Sequence, residues 1–246
     1  MSKAQWDNTG ERYFETGIDK GVLYLLRYGR YSDGEAWSGL INVTEKPSGA
    51  EPSPLYADDI KYLNLISTEE LGLTVEAYTY PDKFNCCLGN AEIAAGVFAG
   101  QQKRHHFGMA YRTLIGNDKD GTEHGYYLNV IFDCLAAPSE KAYGTVSETP
   151  EPVSHSFDIS TTQQVIDGYK PTSKLTLKSA DFKEAGLWNV FRCFEDMLFG
   201  TETTNPRLLR LSEVPSTFAY QMYLRDGLGE AILDSTGERI QTRVFD

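Results

Sequence analysis

Residues 107–135 read FGMAYRTLIGNDKDGTEHGYYLNVIFDCL, and this stretch decides the fold. Two apolar runs, 107–115 and 126–135, flank Gly116-Asn117-Asp118-Lys119-Asp120-Gly121. Asp-Gly between apolar runs predicts a β-hairpin, because glycine adopts positive φ without steric cost. In the second run Leu128, Val130, Phe132 and Cys134 alternate with polar positions that include Asn129 and Asp133. That period of two is the mark of a half-buried strand.

Strand signals continue on both sides of the hairpin. Upstream, residues 12–16 read as a short extended piece and residues 21–26, GVLYLL, as a buried strand. Residues 36–45 follow with Trp37, Leu40, Ile41 and Val43, and in residues 73–79 the odd positions are mainly apolar. Residues 81–95 have room for one or two short helical turns. Downstream, Val153, His155, Phe157 and Ile159 alternate with Ser154, Ser156, Asp158 and Ser160, and Leu175 and Leu177 alternate with Lys174, Thr176 and Lys178. One helix is predicted over 181–199. Its Leu187, Val190, Phe191, Phe194 and Leu198 form an apolar stripe at helical spacing. Asp181 with Glu184 resembles a capping box, and Gly200 is placed as the stop. Gly186 inside the helix costs about 1 kcal/mol relative to alanine and loosens its first turns.

Pro47-Ser48-Gly49-Ala50-Glu51-Pro52-Ser53-Pro54 breaks any regular element. Leu55-Tyr56 and residues 60–65 then flank Ala57-Asp58-Asp59 as a hairpin projecting from a long loop. Long loops in compact domains tend to carry binding functions.

The chain of 246 residues carries 35 acidic and 23 basic side chains, a net charge of −12. No basic run offsets that balance, which argues against sequence-specific nucleic-acid binding. An acidic surface does let DNA pass without sticking. The 15 Tyr and 12 Phe fit pleated, half-buried faces. No stretch approaches the roughly 20 apolar residues of a membrane span, and the start lacks the apolar core of a secretory signal, so no membrane anchor and a cytoplasmic site of synthesis are expected. Cys86, Cys87, Cys134 and Cys193 read as reduced, mostly buried thiols.

Chemistry-bearing motifs are few. Strand neighbours His105 and His106 point to opposite faces and so do not share a metal with His124. His155 sits in the apolar series of its strand. A calcium loop placed with Gly121 sixth puts Gly116 first and Tyr127 twelfth, where carboxylates belong. No nucleophile elbow, phosphate loop or dinucleotide fingerprint occurs. Asp58-Asp59 and Glu69-Glu70 read as solvated turn acids, and the sequon Asn42-Val43-Thr44 has no export signal to give it meaning. No catalytic residue, metal ligand or cofactor is assigned, and the chain is expected not to be an enzyme.

Several stretches taken in order resemble the major tail protein (tail tube protein) family of long-tailed bacteriophages. They are RYFETGIDKGVLY at 12–24, SGAEPSPLYADDIKYLNL at 48–65, LTVEAYTYPD at 73–82, and Gly100-Gln101-Gln102 ahead of Phe107-Gly108. Further on come YRTLIGND at 111–118 with GTEHG at 121–125, and LAAPSEKAY at 135–143. Residues 153–162 ahead of Lys170-Pro171-Thr172 and EDMLFGTETTNPR at 195–207 complete the series. The resemblance spans residues 11–213, which defines an expected tail tube domain over 1–213 and a C-terminal extension over 214–246.

The resemblance implies a mainly β fold, a β-sandwich or partial barrel with one flanking α-helix and a long hairpin arm at about 47–66. It implies a virion protein of the tail, assembled in the host cytoplasm as stacked hexameric rings that form a hollow conduit for DNA ejection. Its expected partners are its own copies, the tape measure protein, the tail terminator and the distal tail or baseplate proteins, with DNA passing through unrecognised. Pro47, Pro52, Pro54, Leu55, Tyr56, Asp58, Asp59 and Tyr62 are the expected inter-ring arm, and Glu76 and Asp133 the expected lumen-facing acids. Two other readings stand beside this one. The first is another virion structural part, such as a capsid decoration or tail adaptor protein, and the second is a β-sandwich binding module.

Overall fold

The computed structural model describes residues 4–141, 145 and 152–217. The protein is mainly β, with one large antiparallel sheet and a few helices. Its centre is the hairpin that residues 107–135 predict: β10 (Phe107–Asn117) and β11 (Gly121–Ala136), with Asn117 opposite Gly121. The Asn117 carboxamide oxygen accepts from the Asp120 and Lys119 amides at 2.5 and 3.1 Å, and Gly121 has φ +60°. An Asx-type turn and a permissive glycine therefore close the hairpin.

The sheet grows outward from this pair. On one side lies β1 (Tyr13–Arg27), with β2 (Arg30–Tyr31) and β3 (Glu35–Trp37) paired to it. On the other side the C-terminal end of β11 pairs with β12 (His155–Thr161), then β7 (Glu70–Ala77), then the edge strand β4 (Leu40–Ser48). The middle of β11, residues 127–131, pairs instead with β13 (Lys174–Lys178). Two hairpins stand apart from this sheet: β5 (Pro52–Ala57) with β6 (Ile60–Ile66), and β8 (Ala91–Ala94) with β9 (Val97–Ala99).

The central strands are covered on both faces. On one face Leu23, Leu25, Met109 and Ile131 pack against Leu73, Val75, Phe157 and Ile159 of the outer strands, with Trp37 and Phe84 between. Phe84, held by a 3-10 turn over Asp82–Cys86, stacks edge-on to Phe107 and Phe157 at 5.3 and 5.1 Å between centroids. On the opposite face Val22, Tyr24, Leu128, Val130 and Phe132 meet Phe191, Phe194 and Leu198 of the helix, together with Leu208, Leu211 and Val214. Double coverage explains why GVLYLL is an unbroken apolar run rather than an alternating one.

Four sequence expectations change in detail. The helix over 181–199 is two helices, α1 (Ser179–Glu184) and α2 (Trp188–Phe199), separated where Gly186 adopts φ +68°. α1 begins earlier than expected, and no side chain caps it at Lys178. The piece at 12–16 is the start of the 15-residue β1. Pro47 and Ser48 do not break the chain but continue β4 opposite Leu71 and Glu70. An edge strand tolerates proline because one side of its ladder needs no donor. Finally, Cys134 does not share the Phe132 face. An extra residue in β11 at 132–133, with Asp133 at φ +48°, forms a bulge that turns Cys134 into the Ile131 core.

The C-terminal end of α2 is satisfied from two directions. The Tyr24 hydroxyl donates to the Leu198 carbonyl at 2.5 Å and the Arg207 amide to the Met197 carbonyl at 2.7 Å. Gly200 follows at φ 77°, ψ 172°, a conformation that is essentially glycine's alone. A Cβ there would stand 2.7 Å from the Thr204 carbonyl oxygen and 2.9 Å from Pro206. Gly200→Ala is expected to cost about 1–3 kcal/mol in denaturant unfolding. A loss below about 0.5 kcal/mol would mean that this turn relaxes freely.

The expected extension over 214–246 lies almost wholly outside the described residues. Val214, at its start, is buried against the α2 core.

Candidate functional site

The arm is a ladder of its own. Pro52 pairs with Ile66, Leu55 with Leu63, and Ala57 with Ile60 around Asp58 and Asp59. Both aspartates have positive φ, 51° and 61°, the geometry of a type I′ turn whose twist matches the strands beside it. The chain leaves β4 through Gly49 at φ +79°, where a Cβ would meet the Thr68 carbonyl oxygen at 2.5 Å. The Ala50 amide donates to the Ser67 hydroxyl at 3.1 Å and closes the base. Of the eight residues expected in the arm, Pro52, Pro54, Leu55 and Tyr56 are in β5, Asp58 and Asp59 form the turn, and Tyr62 is in β6. Pro47 belongs to β4.

Every residue of β5 and β6 is exposed. Tyr56 and Tyr62 are 71% and 68% accessible, and Ile60, Leu65 and Ile66 exceed half. A two-stranded hairpin alone is marginal in water, and one with apolar side chains on both faces gains nothing from staying there. A second exposed hairpin went unread in the sequence. β8–β9 presents Ile93, Val97 and Phe98 around Gly96 at φ +74°. Its strands are too short for a periodic signal, and Gly96 was the available cue.

The two expected lumen acids are not brought together. Glu76 lies half-exposed on β7, opposite Ser156 and Asn42, and β12 separates that strand from β11. Asp133 sits in the bulge with its Oδ1 2.6 Å from His106 Nδ1, while its amide donates to the Tyr31 hydroxyl at 3.0 Å.

A polar cleft of about 400 Å³ opens between β4 and the central sheet, lined by Glu15, Tyr111, Thr113, Asn129 and Lys174 among others. Across it, Glu45 on β4 accepts from the Tyr111 hydroxyl at 2.9 Å and from Lys174 Nζ at 2.5 Å. Burial and the Glu45 carboxylate both push the Tyr111 phenol up, so it stays a neutral donor. These contacts tie an edge strand to β10 and β13.

Two histidines are held by local contacts. His155 stacks on Phe157 and meets Tyr80 edge-on, and burial lowers its pKa. His124 lies 3.2 Å from Asp120 within the β10–β11 turn. No group of three or more His, Cys, Asp or Glu among the described residues is placed to hold a metal ion. Cys87 and Cys134 are buried, Cys86 is half-buried and Cys193 is exposed. Cys87 and the Arg27 guanidinium hold the Cys86 thiol below its ordinary value, while burial raises that of Cys134. Among the described residues no helix is long and apolar enough to cross a membrane.

No protein-family model matches the sequence. No curated protein matches it either. Among solved structures, the chain is similar to one from the baseplate of the anti-feeding prophage, with a TM-score of 0.35 and 8% identity over 72% of this chain and 97% of the other. It is similar to a chain of the sheath/tube terminator of an extracellular contractile injection system in the extended state, with a TM-score of 0.28 and 7% identity over 71% and 99%. It is also similar to a chain of the sheath-tube complex of such a system, with a TM-score of 0.28 and 9% identity over 71% and 93%.

Proposed function

We propose that this chain is a structural subunit of a bacteriophage tail tube, assembling as stacked hexameric rings around a conduit for DNA ejection into the host. The arm is the observation that carries this reading. A hairpin with apolar side chains on both faces, held away from its own domain by a glycine hinge, is built to be covered by another chain. Among the described residues the outer side of β4 is unpaired, which supports the same reading, since an open strand edge is a template for pairing between subunits. The resemblance carried by residues 11–213 supplies the rest: a virion protein of the tail, partnered by the tape measure, terminator and distal tail or baseplate proteins. The domain ends near 213 in this reading, and the residues after it form an extension.

An acidic channel wall follows from the charge balance. A wall of net negative charge keeps DNA hydrated and moving, where a cationic one would hold phosphates. Glu76 is the better contributor, because Asp133 is already engaged by His106.

Electron microscopy of the purified chain tests the proposal. Long hollow tubes with six-fold rings and a net acidic lumen are expected. Single rings that never stack would point to an adaptor instead, and a chain that stays monomeric in tails would overturn the reading.

A further inference from the structure

The chain is strongly acidic, yet one cleft concentrates its cations. It has a volume of about 360 Å³ and opens beside α1 and α2, lined by Lys20, Arg112, Lys183 and Arg192 against Glu195 and Asp196. Two of the four cations are already matched. Arg112 donates to both oxygens of Asp19 at 2.7 and 2.5 Å, and Lys20 lies 3.8 Å from Glu195. Lys183 and Arg192 are exposed and form no ion pair among the described residues. Aromatic faces set the cleft's walls: Lys183 Nζ lies 4.8 Å from the Trp188 ring centroid, and Arg112 4.7 Å from that of Tyr126.

The arm presents the complementary surface. Its tip holds two adjacent exposed carboxylates, Asp58 and Asp59, with no ion pair among the described residues, and Tyr56 stands beside them at 71% exposure. We propose that the cationic cleft receives the Asp58–Asp59 turn of the arm of a second copy of this chain, with Lys183 and Arg192 taking the two carboxylates and Tyr56 lying against the cleft's rings. This deepens the tube reading, on which it rests for the arm's role in assembly. Guanidinium and carboxylate pair well as charge-assisted bonds, and an aromatic ring beside a cation adds attraction. Elsewhere the acidic surface repels the tip, so the cleft supplies specificity as well as attraction. Tip and cleft are different parts of the chain, so in the proposed tube the contact repeats head-to-tail from copy to copy, and a reciprocal two-fold dimer would show instead as association that stops at two copies.

Charge exchange on the full-length chain tests this, read by sedimentation up to about 1 mM and by electron microscopy. K183E/R192E and D58K/D59K should each weaken association about tenfold or more, from the loss of two partly exposed pairs and the repulsion that replaces them. Their mixture should recover association to within about threefold of the unaltered chain. All four positions lie outside both cores, so the thermal midpoints of the variants should agree within about 3 °C, and D58N/D59N, which keeps residues that tolerate positive φ, should weaken association in the same direction as D58K/D59K. If the unaltered chain and K183E/R192E build tubes equally well, the cleft assignment is overturned and the tube reading stands. If association is charge-dependent and rescued by mixing but yields no tubes, the cleft assignment stands and the tube reading falls. Loss in both variants without rescue overturns the pairing, and absence of any association at about 1 mM overturns both.

Discussion

Replacing Phe191 with alanine is expected to lower the unfolding free energy by about 3–5 kcal/mol, the usual cost of removing a fully buried ring. Phe191 has no exposed surface and stacks on Trp188 at 5.2 Å with the rings 10° apart, with Phe182 at 5.2 Å and Tyr126 at 5.6 Å around it. It joins both helices to the sheet, so the cavity left behind is walled by large rings that cannot close over it. Denaturant unfolding of the full chain measures the loss. A change below about 1 kcal/mol would mean that the helices cover the sheet only loosely.

Removing residues 52–66 and joining Glu51 to Ser67 is expected to abolish tube formation while leaving the domain folded. Pro52 and Ile66 are ladder partners, so the cut ends lie about one strand spacing apart, near 5 Å. No arm strand contributes to either core, and the thermal midpoint should move by less than about 3 °C. Cutting from Ser48 instead would remove a β4 residue paired with Glu70 and confuse a folding defect with an assembly defect. Normal tubes from the 52–66 deletion would take the arm out of assembly.

The strands were legible where periodicity met burial. Leu73, Val75 and Ala77 alternate in the sequence and are buried in the structure, and Phe157 and Ile159 behave alike. The arm hairpin was legible from Ala57-Asp58-Asp59 between two apolar stretches. The bulge at Asp133 was not, because inserting one residue leaves the local alternation intact while reversing every face beyond it. The split helix was half-legible: Gly186 marks the break, and the apolar stripe from Leu187 to Leu198 belongs wholly to the α2 side of it, so it carried no signal for α1. The cationic cleft was invisible, because Lys20, Arg112, Lys183 and Arg192 are scattered along the chain and meet only through the packing of β1, β10, α1 and α2.

The pairing of β1 with β10 sets an order of events in time. β2 and β3 pair locally with the later part of β1, but Tyr13 finds Asn117 and Leu25 finds Phe107, partners about a hundred residues apart at the far end, so a ribosome must deliver nearly half of the chain before β1 reaches the central hairpin. Nonlocal ladders of this kind close in milliseconds to seconds, whereas a hairpin of adjacent strands forms in about 1–10 µs. The arm, whose ladder spans only Pro52 to Ile66, opens and closes many times while the domain that presents it is still unfolded. If the arm joins copies as proposed, newly made chains would expose its apolar side chains before they have a folded body, and closure of the β1–β10 ladder would set the pace at which they become competent to assemble.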